Sequence, residues 1–282
     1  MRSAALILSL SVMVMVVNPF SEAAYYHGEK NIFTGIYDDG TERLVNGTST
    51  TIQNYPHCAA MKLYDMLYQC GCSIIAPQYV LTAAHCTWPM IRDGVVEYIT
   101  ILTGTTNLDE GGQSHEVEKM WYHEKYNTNV TGRTNDDIGL IKLKKPLKYD
   151  STCQPINLPK HPAKENEKVT IAAWGRKGKD EEVHNHLGKM EANVMLPKEC
   201  QSHYSDNSEK ISKNEICTLI GAGTGLCKGD SGSGLIRDNN QIKKREIVAL
   251  VSGGKPCAVG KPDIYTNISP YLPWIKEKMA EK

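Results

Sequence analysis

The chain carries no net charge: 32 Lys and Arg balance 32 Asp and Glu. That balance argues against a basic nucleic-acid face or a polybasic membrane patch. No stretch beyond the first 24 residues is apolar enough to span a bilayer, so no membrane anchor is expected there. No internal repeat or low-complexity tract interrupts the sequence, which argues against a solenoid or a disordered tail. No CxxC pair and no His/Cys cluster has zinc spacing, so neither a metal nor a cofactor is expected.

The 282 residues, 40% of them hydrophobic, suffice for one large domain or two fused halves. Arg2, the apolar run Ala4–Val17 and the small residues Ser21, Ala23 and Ala24 read as a secretory signal cut after Ala23. The run is shorter than the about 20 residues of a spanning helix. Export makes the nine Cys candidates for disulfides, and an odd number leaves at least one free or paired outside the chain. Residues 24–43 are polar and acidic and read as a propeptide or linker. From Leu44 onward, short β-type runs alternate with Gly, Pro and Asn turns, as in 95–104, 137–146, 168–175 and 246–254. This density of short strands predicts an all-β fold, a barrel or sandwich. At the end, Leu272, Ile275 and Met279 recur at helical spacing after Ser269, a potential N-cap, and Pro270. They predict one amphipathic C-terminal helix.

Three stretches carry chemistry together. "LTAAHC" (81–86) holds His85, "NDDIGLIKL" (135–143) holds Asp137, and "CKGDSGSGL" (227–235) holds Ser231 between glycines. A serine hydroxyl is a poor nucleophile at neutral pH and needs a base within reach, and the base needs an acid to fix its tautomer. Each motif alone has a plain reading as a core histidine, a strand-start aspartate or a turn.

Taken together they resemble a trypsin/chymotrypsin-type serine protease of the S1 family, over Leu44 to about Ile275. The resemblance implies two six-stranded antiparallel β-barrels with a C-terminal α-helix, the barrels meeting near 155–164. It implies His85 as general base, Asp137 as its orienting acid and Ser231 as nucleophile, with Asp136 a solvated neighbour. The N–H groups of Gly229 and Ser231 would form the oxyanion hole, and Ser252 would bond the buried acid. "TERLVNGT" (41–48) is similar to the family's activation site. Cleavage after Arg43 by a protease of basic specificity would free the Leu44 amino group to pair with Asp230, so the chain reads as a zymogen. The family pattern pairs Cys70 with Cys86, Cys200 with Cys217 and Cys227 with Cys257. It leaves Cys58, Cys72 and Cys153 unassigned, with room for one further bridge among them.

The pocket departs from the trypsin pattern. Gly225 stands where trypsin-like members carry aspartate, and Asp263 stands on the opposite wall where glycine is usual. That arrangement resembles crustacean collagenolytic serine proteases and implies a broad preference for Lys or Arg and for large apolar side chains. Leu226 would make the pocket narrower or greasier, Lys228 would bring positive charge to its mouth, and Ser252 to Gly254 lack the family's common tryptophan. Thr105 replaces a calcium-binding carboxylate, so no calcium site is expected. Asn46, Asn129 and Asn267 begin glycosylation sequons. The expected partners are protein or peptide substrates, an activating protease and protein inhibitors, with the enzyme itself a secreted monomer. Two rivals stand beside a broad-specificity endopeptidase: one with chymotrypsin- or elastase-like apolar specificity, and an inactive homologue serving as a binding module.

Overall fold

Apolar runs bounded by turn residues become short strands, and their pairing closes two rings. The computed structural model describes residues 44–126, 135–204, 210–239, 244–255 and 257–281, all within one compact unit, Asp39–Lys282. Chain order runs β1 (Thr48–Ser49), β2 (Cys58–Leu63), β3 (Leu67–Ala76), β4 (Tyr79–Thr82), helix α1 (Ala84–Arg92), β5 (Ile99–Thr103), β6 (Gln113–Tyr122) and β7 (Gly139–Leu143). It continues through β8 (Lys168–Ala173), β9 (Gly188–Met195), α2 (Pro197–Ser202), β10 (Glu215–Thr218), β11 (Gly234–Asn239), β12 (Lys244–Gly254), β13 (Asp263–Asn267) and α3 (Leu272–Ala280).

The first barrel closes in the order β2-β3-β4-β7-β6-β5. The second closes as β8-β9-β10-β13-β12-β11, because β8 pairs with both β11 and β9; β1 adds to its outside on β9. Every ladder between named strands is antiparallel. Several strands read as continuous apolar runs because both of their faces are buried. In β7, Ile141 and Leu143 fill the first barrel while Leu140 joins a cluster that draws on both barrels. In β8, Val169, Ile171 and Ala173 fill the second barrel while Ala172 joins the shared cluster. Each buried Val, Leu or Ile among them contributes about 1.5–3 kcal/mol. The shared cluster packs the two barrels against each other.

Three local expectations are corrected, and one helix had no forecast. Residues 96–98 form a 3-10 turn rather than the start of a strand, and pairing begins only at Ile99. Ser269 does not cap α3: Ser269–Tyr271 is itself a 3-10 turn, and the N-cap position falls on Tyr271. The amphipathic stripe is real, with Trp274 and Ile275 buried. Helix α1, with Pro89 inside it, gave no periodic signal of its own. No fourth disulfide forms: Cys58, Cys72 and Cys153 are buried free thiols.

Candidate active site

The first turn of a helix presents backbone N–H groups that have no intrahelical acceptor. Helix α1 has no side-chain cap from its own N-cap, Ala83. Asp137, just ahead of β7 and 1% exposed, takes that role from a distance: its Oδ1 accepts the His85 backbone N–H at 2.8 Å. Its Oδ2 lies 2.7 Å from His85 Nδ1 and accepts the Ser252 hydroxyl at 2.6 Å. The Thr266 hydroxyl donates to the Asp137 carbonyl at 2.9 Å. The acid is thereby fixed by both barrels. Ser252 reaches it because the β12–β13 register shifts between Val251 and Gly253, a bulge that re-aims one side chain. Burial disfavours the charged imidazole, but the Asp137 charge and hydrogen bond outweigh it and hold the His85 pKa above the ordinary value. The ring remains partly open, at 28% side-chain exposure.

Ser231 is held against the same region by its neighbours. Gly71 N–H donates to the Ser231 carbonyl at 2.8 Å, and Gly232 N–H donates to Val251 O at 2.9 Å. A Cβ at Gly232 would fall 2.2 Å from the Thr82 hydroxyl oxygen and 3.2 Å from Ala83 N, so this turn presses directly on the start of α1. Gly229 sits at φ +94°, a conformation open to glycine and strained for other residues. Neither the Gly229 nor the Ser231 N–H donates to an acceptor among the described residues.

Asp230 points the other way, into the protein, and is fully buried. Its Oδ1 accepts Gly175 N–H at 3.0 Å and its Oδ2 accepts Cys227 N–H at 2.8 Å. Burial pushes its pKa up to about 8; the two amides oppose the rise and the Asp263 charge adds to it. Leu44 is buried in the second-barrel cluster, and Val45 exchanges both backbone hydrogen bonds with Gly225, at 3.1 and 3.2 Å. Arg43 lies outside the described residues.

The structure brings Gly225 and Asp263 together: a Cβ at Gly225 would fall 2.9 Å from Asp263 Oδ2. The same oxygen accepts Leu226 N–H at 3.0 Å. Asp263 is 6% exposed, and burial lifts its pKa to about 6 against that one amide. Its Oδ1 has no hydrogen-bond partner among the described residues. The Leu226 side chain is buried in the second-barrel core cluster. Lys228 is exposed. Gly253 has open space where a side chain would stand, and Gly254 pairs with Asp263. The three bridges Cys70–Cys86, Cys200–Cys217 and Cys227–Cys257 are formed, bracing the histidine loop, α2 on β10, and two walls around Gly225.

The family model for Trypsin matches residues 44–275. The chain belongs to the trypsin family. It is a serine endopeptidase of that family. It is 32% identical to the clotting factor G beta subunit of Tachypleus tridentatus, over 83% of this chain and 79% of that one. It is 30% identical to chymotrypsin-2 of Vespa crabro, over 83% of this chain and 99% of the relative. A CLIP domain-containing serine protease HP8 of Bombyx mori is 28% identical, over 85% and 70%.

Against the trypsin-family expectations, one detail differs. Asp136 is not a solvated neighbour: its carboxylate accepts the Tyr271 hydroxyl at 2.7 Å. The segment around Thr105 is held by groups the sequence did not reveal. The Thr105 hydroxyl lies 2.7 Å from Asn107 O and 2.5 Å from Glu110 O, and the buried Lys62 ammonium donates to Leu108 O at 3.2 Å. Of Asp, Glu, His and Cys groups among the described residues, Cys70, His85 and Cys86 lie close enough to share an ion, but the two sulfurs are bonded to each other. Among the described residues no helix is long and apolar enough to cross a membrane. Asn129 lies outside the described residues; Asn46 donates its side-chain amide to Gly223 O at 2.6 Å.

Proposed function

We propose that this trypsin-family chain is a secreted zymogen, activated by cleavage after Arg43, that hydrolyses peptide bonds through His85, Asp137 and Ser231. The reading is carried by the Asp137 carboxylate, which engages His85 at both its backbone N–H and Nδ1. Held so, the imidazole carries its proton on Nδ1 and offers Nε2 as the base. Nε2 takes the Ser231 hydroxyl proton as Oγ attacks the scissile carbonyl carbon. The carbonyl oxygen gains the negative charge and accepts from the Gly229 and Ser231 N–H groups. The tetrahedral adduct collapses, the imidazolium gives its proton to the leaving amine, and an acyl-serine remains. Water, activated by the same Nε2, repeats the sequence and frees the acid.

Activation follows from the Asp230 environment. Among the described residues this buried carboxylate meets two amide donors and no cation, and a new ammonium at Leu44 would supply one. With its pKa near 8, Asp230 in the uncut chain is mostly protonated at neutral pH; an ammonium beside it favours the ionised form and biases the loops around Ser231. The pairing of Val45 with Gly225 supports transmission of that change to the pocket. Export rests on Arg2 and the run Ala4–Val17. The partners are protein substrates, an activating protease and protein inhibitors.

For specificity, the Oδ1 of Asp263 supports recognition of a Lys or Arg side chain, with Gly225 leaving room for larger apolar ones. The Leu226 amide on Oδ2 favours a second reading, in which the carboxylate is satisfied internally and only apolar residues are cut. One experiment separates these readings: cut the chain after Arg43 and measure rates on peptides differing only in the residue before the scissile bond. Comparable rates after Arg, Lys, Leu and Phe support the broad pocket. Cleavage after apolar residues alone supports the second reading, and no cleavage with no fluorophosphonate labelling of Ser231 supports an inactive binding homologue.

A further inference from the structure

Both oxyanion-hole residues proposed above have their carbonyls held by one strand of the first barrel. In β3, Gly71 N–H donates to Ser231 O at 2.8 Å, and three residues earlier the Tyr68 hydroxyl donates to Gly229 O at 2.7 Å. Burial, then the nearby Asp230 charge, holds the Tyr68 phenol well above its ordinary pKa, so it stays protonated and able to donate across the working range. Gly229 needs such restraint because it has no side chain and its φ of +94° is one of several basins glycine visits freely.

The peptide planes on either side of Gly229 are fixed from different directions. Lys228 O accepts Arg176 N–H at 2.9 Å. Lys228 C=O and Gly229 N–H share one trans peptide plane and point in opposite directions, so this bond aims the Gly229 N–H away from Arg176. The following plane, carrying Gly229 C=O, is held by Tyr68. The Asp230 N–H of that plane also donates to Cys227 O, at 3.2 Å, so removing the Tyr68 hydroxyl leaves the plane restrained by this longer bond alone and loosens the Gly229 dihedrals.

We propose that Tyr68 is a positioning residue for the oxyanion hole: its hydroxyl, by holding the Gly229 carbonyl, keeps the Gly229 N–H aimed at the developing oxyanion. The assignment rests on the catalytic reading of Ser231 given above. The test uses the chain cut after Arg43, as wild type and as Tyr68→Phe, which removes the hydroxyl and keeps the ring.

The expected result is a fall of about tenfold or more in kcat on an amide substrate, below the ~100- to 1000-fold of deleting an oxyanion donor outright. KM and thermal midpoint stay near wild type. Affinity for a peptide aldehyde, whose adduct oxygen occupies the oxyanion position, falls by the same factor as kcat, while affinity for a matching product carboxylate does not. Replacing Tyr68 by p-aminophenylalanine, which restores an N–H donor at the same place, recovers most of the loss. The Tyr68 assignment is overturned if kcat and aldehyde affinity of Tyr68→Phe stay within twofold of wild type. It is also overturned if aldehyde and product affinities fall together with the thermal midpoint, the pattern of general loosening. A wild type that neither turns over nor labels with fluorophosphonate overturns the catalytic reading, and the Tyr68 assignment with it.

Discussion

Asp230 and Asp263 are buried carboxylates a short way apart, and pH distinguishes their work. Asp263, with its pKa near 6, is ionised above that value and neutral below it. Cleavage after Arg relative to Leu is therefore expected to fall as pH drops through 6, approaching tenfold per unit at the steepest. Taking the ratio of kcat/KM for the two substrates on the same enzyme removes the His85 titration, which affects both alike. A ratio flat from pH 5 to 8 would mean that Asp263 does not read the substrate. Asp230 in the uncut chain acts on stability instead. Its folded pKa, near 8, lies above the ordinary carboxylate value, so the folded state binds more protons between pH 4 and 8. Stability from this group is complete below pH 4 and is lost as pH rises toward 8. Between pH 6.5 and 8 the uncut chain is expected to lose urea-unfolding stability that Asp230→Asn does not lose; cleavage after Arg43 should remove the difference. The departures at Gly225 and Asp263 were legible in sequence, because each breaks the family pattern at a definite position; their contact was not. Lys62 and Tyr68 were not, since a lysine and a tyrosine in strands gain meaning only from the distant carbonyls they meet.

At the scale of elements, α3 shows how a packed face outweighs its own caps. Ile275 is fully buried in the cluster that joins both barrels, alongside Trp274. Ile275→Ala is expected to cost about 2–5 kcal/mol in urea unfolding, by lost transfer free energy and the cavity left behind. Activity per folded molecule should remain, since α3 contributes no group to the site. The helix itself was readable from Leu272, Ile275 and Met279, but its start was misread. Ser269 looks like an N-cap in isolation, yet its N–H bonds the Asn267 side chain and the chain tightens into a 3-10 turn first. Helix α1 was missed for a related reason. Its nine residues include Pro89 and have no capping side chain of their own. It is stabilised by the Cys70–Cys86 bridge and by Asp137 on the His85 amide, both distant in sequence.

Across the whole molecule, six cysteines form three disulfides, and the other three are buried free thiols. Burial pushes the Cys58 and Cys72 thiols up to about 12 and raises that of Cys153 as well. Iodoacetamide at pH 8 is expected to label none of them in the folded protein and all three after denaturation without reductant; native labelling of any would place it at a more open position. The family, the strand-rich class and the catalytic, pocket and activation candidates were readable from the chain alone, because these depend on residue types at fixed chain spacing. The pairings Cys70–Cys86, Cys200–Cys217 and Cys227–Cys257 were likewise implied by the family pattern. Tertiary structure decided how those candidates are held. It put both Asp137 oxygens on His85, the β12 bulge behind Ser252, the β3 contacts on Gly229 and Ser231, and Asp263 against Gly225. It also left Cys58, Cys72 and Cys153 unbridged. The reason is physical: a hydrogen bond or a bridge depends on distances of a few ångströms between groups far apart in the chain, and only the closure of two barrels fixes those distances.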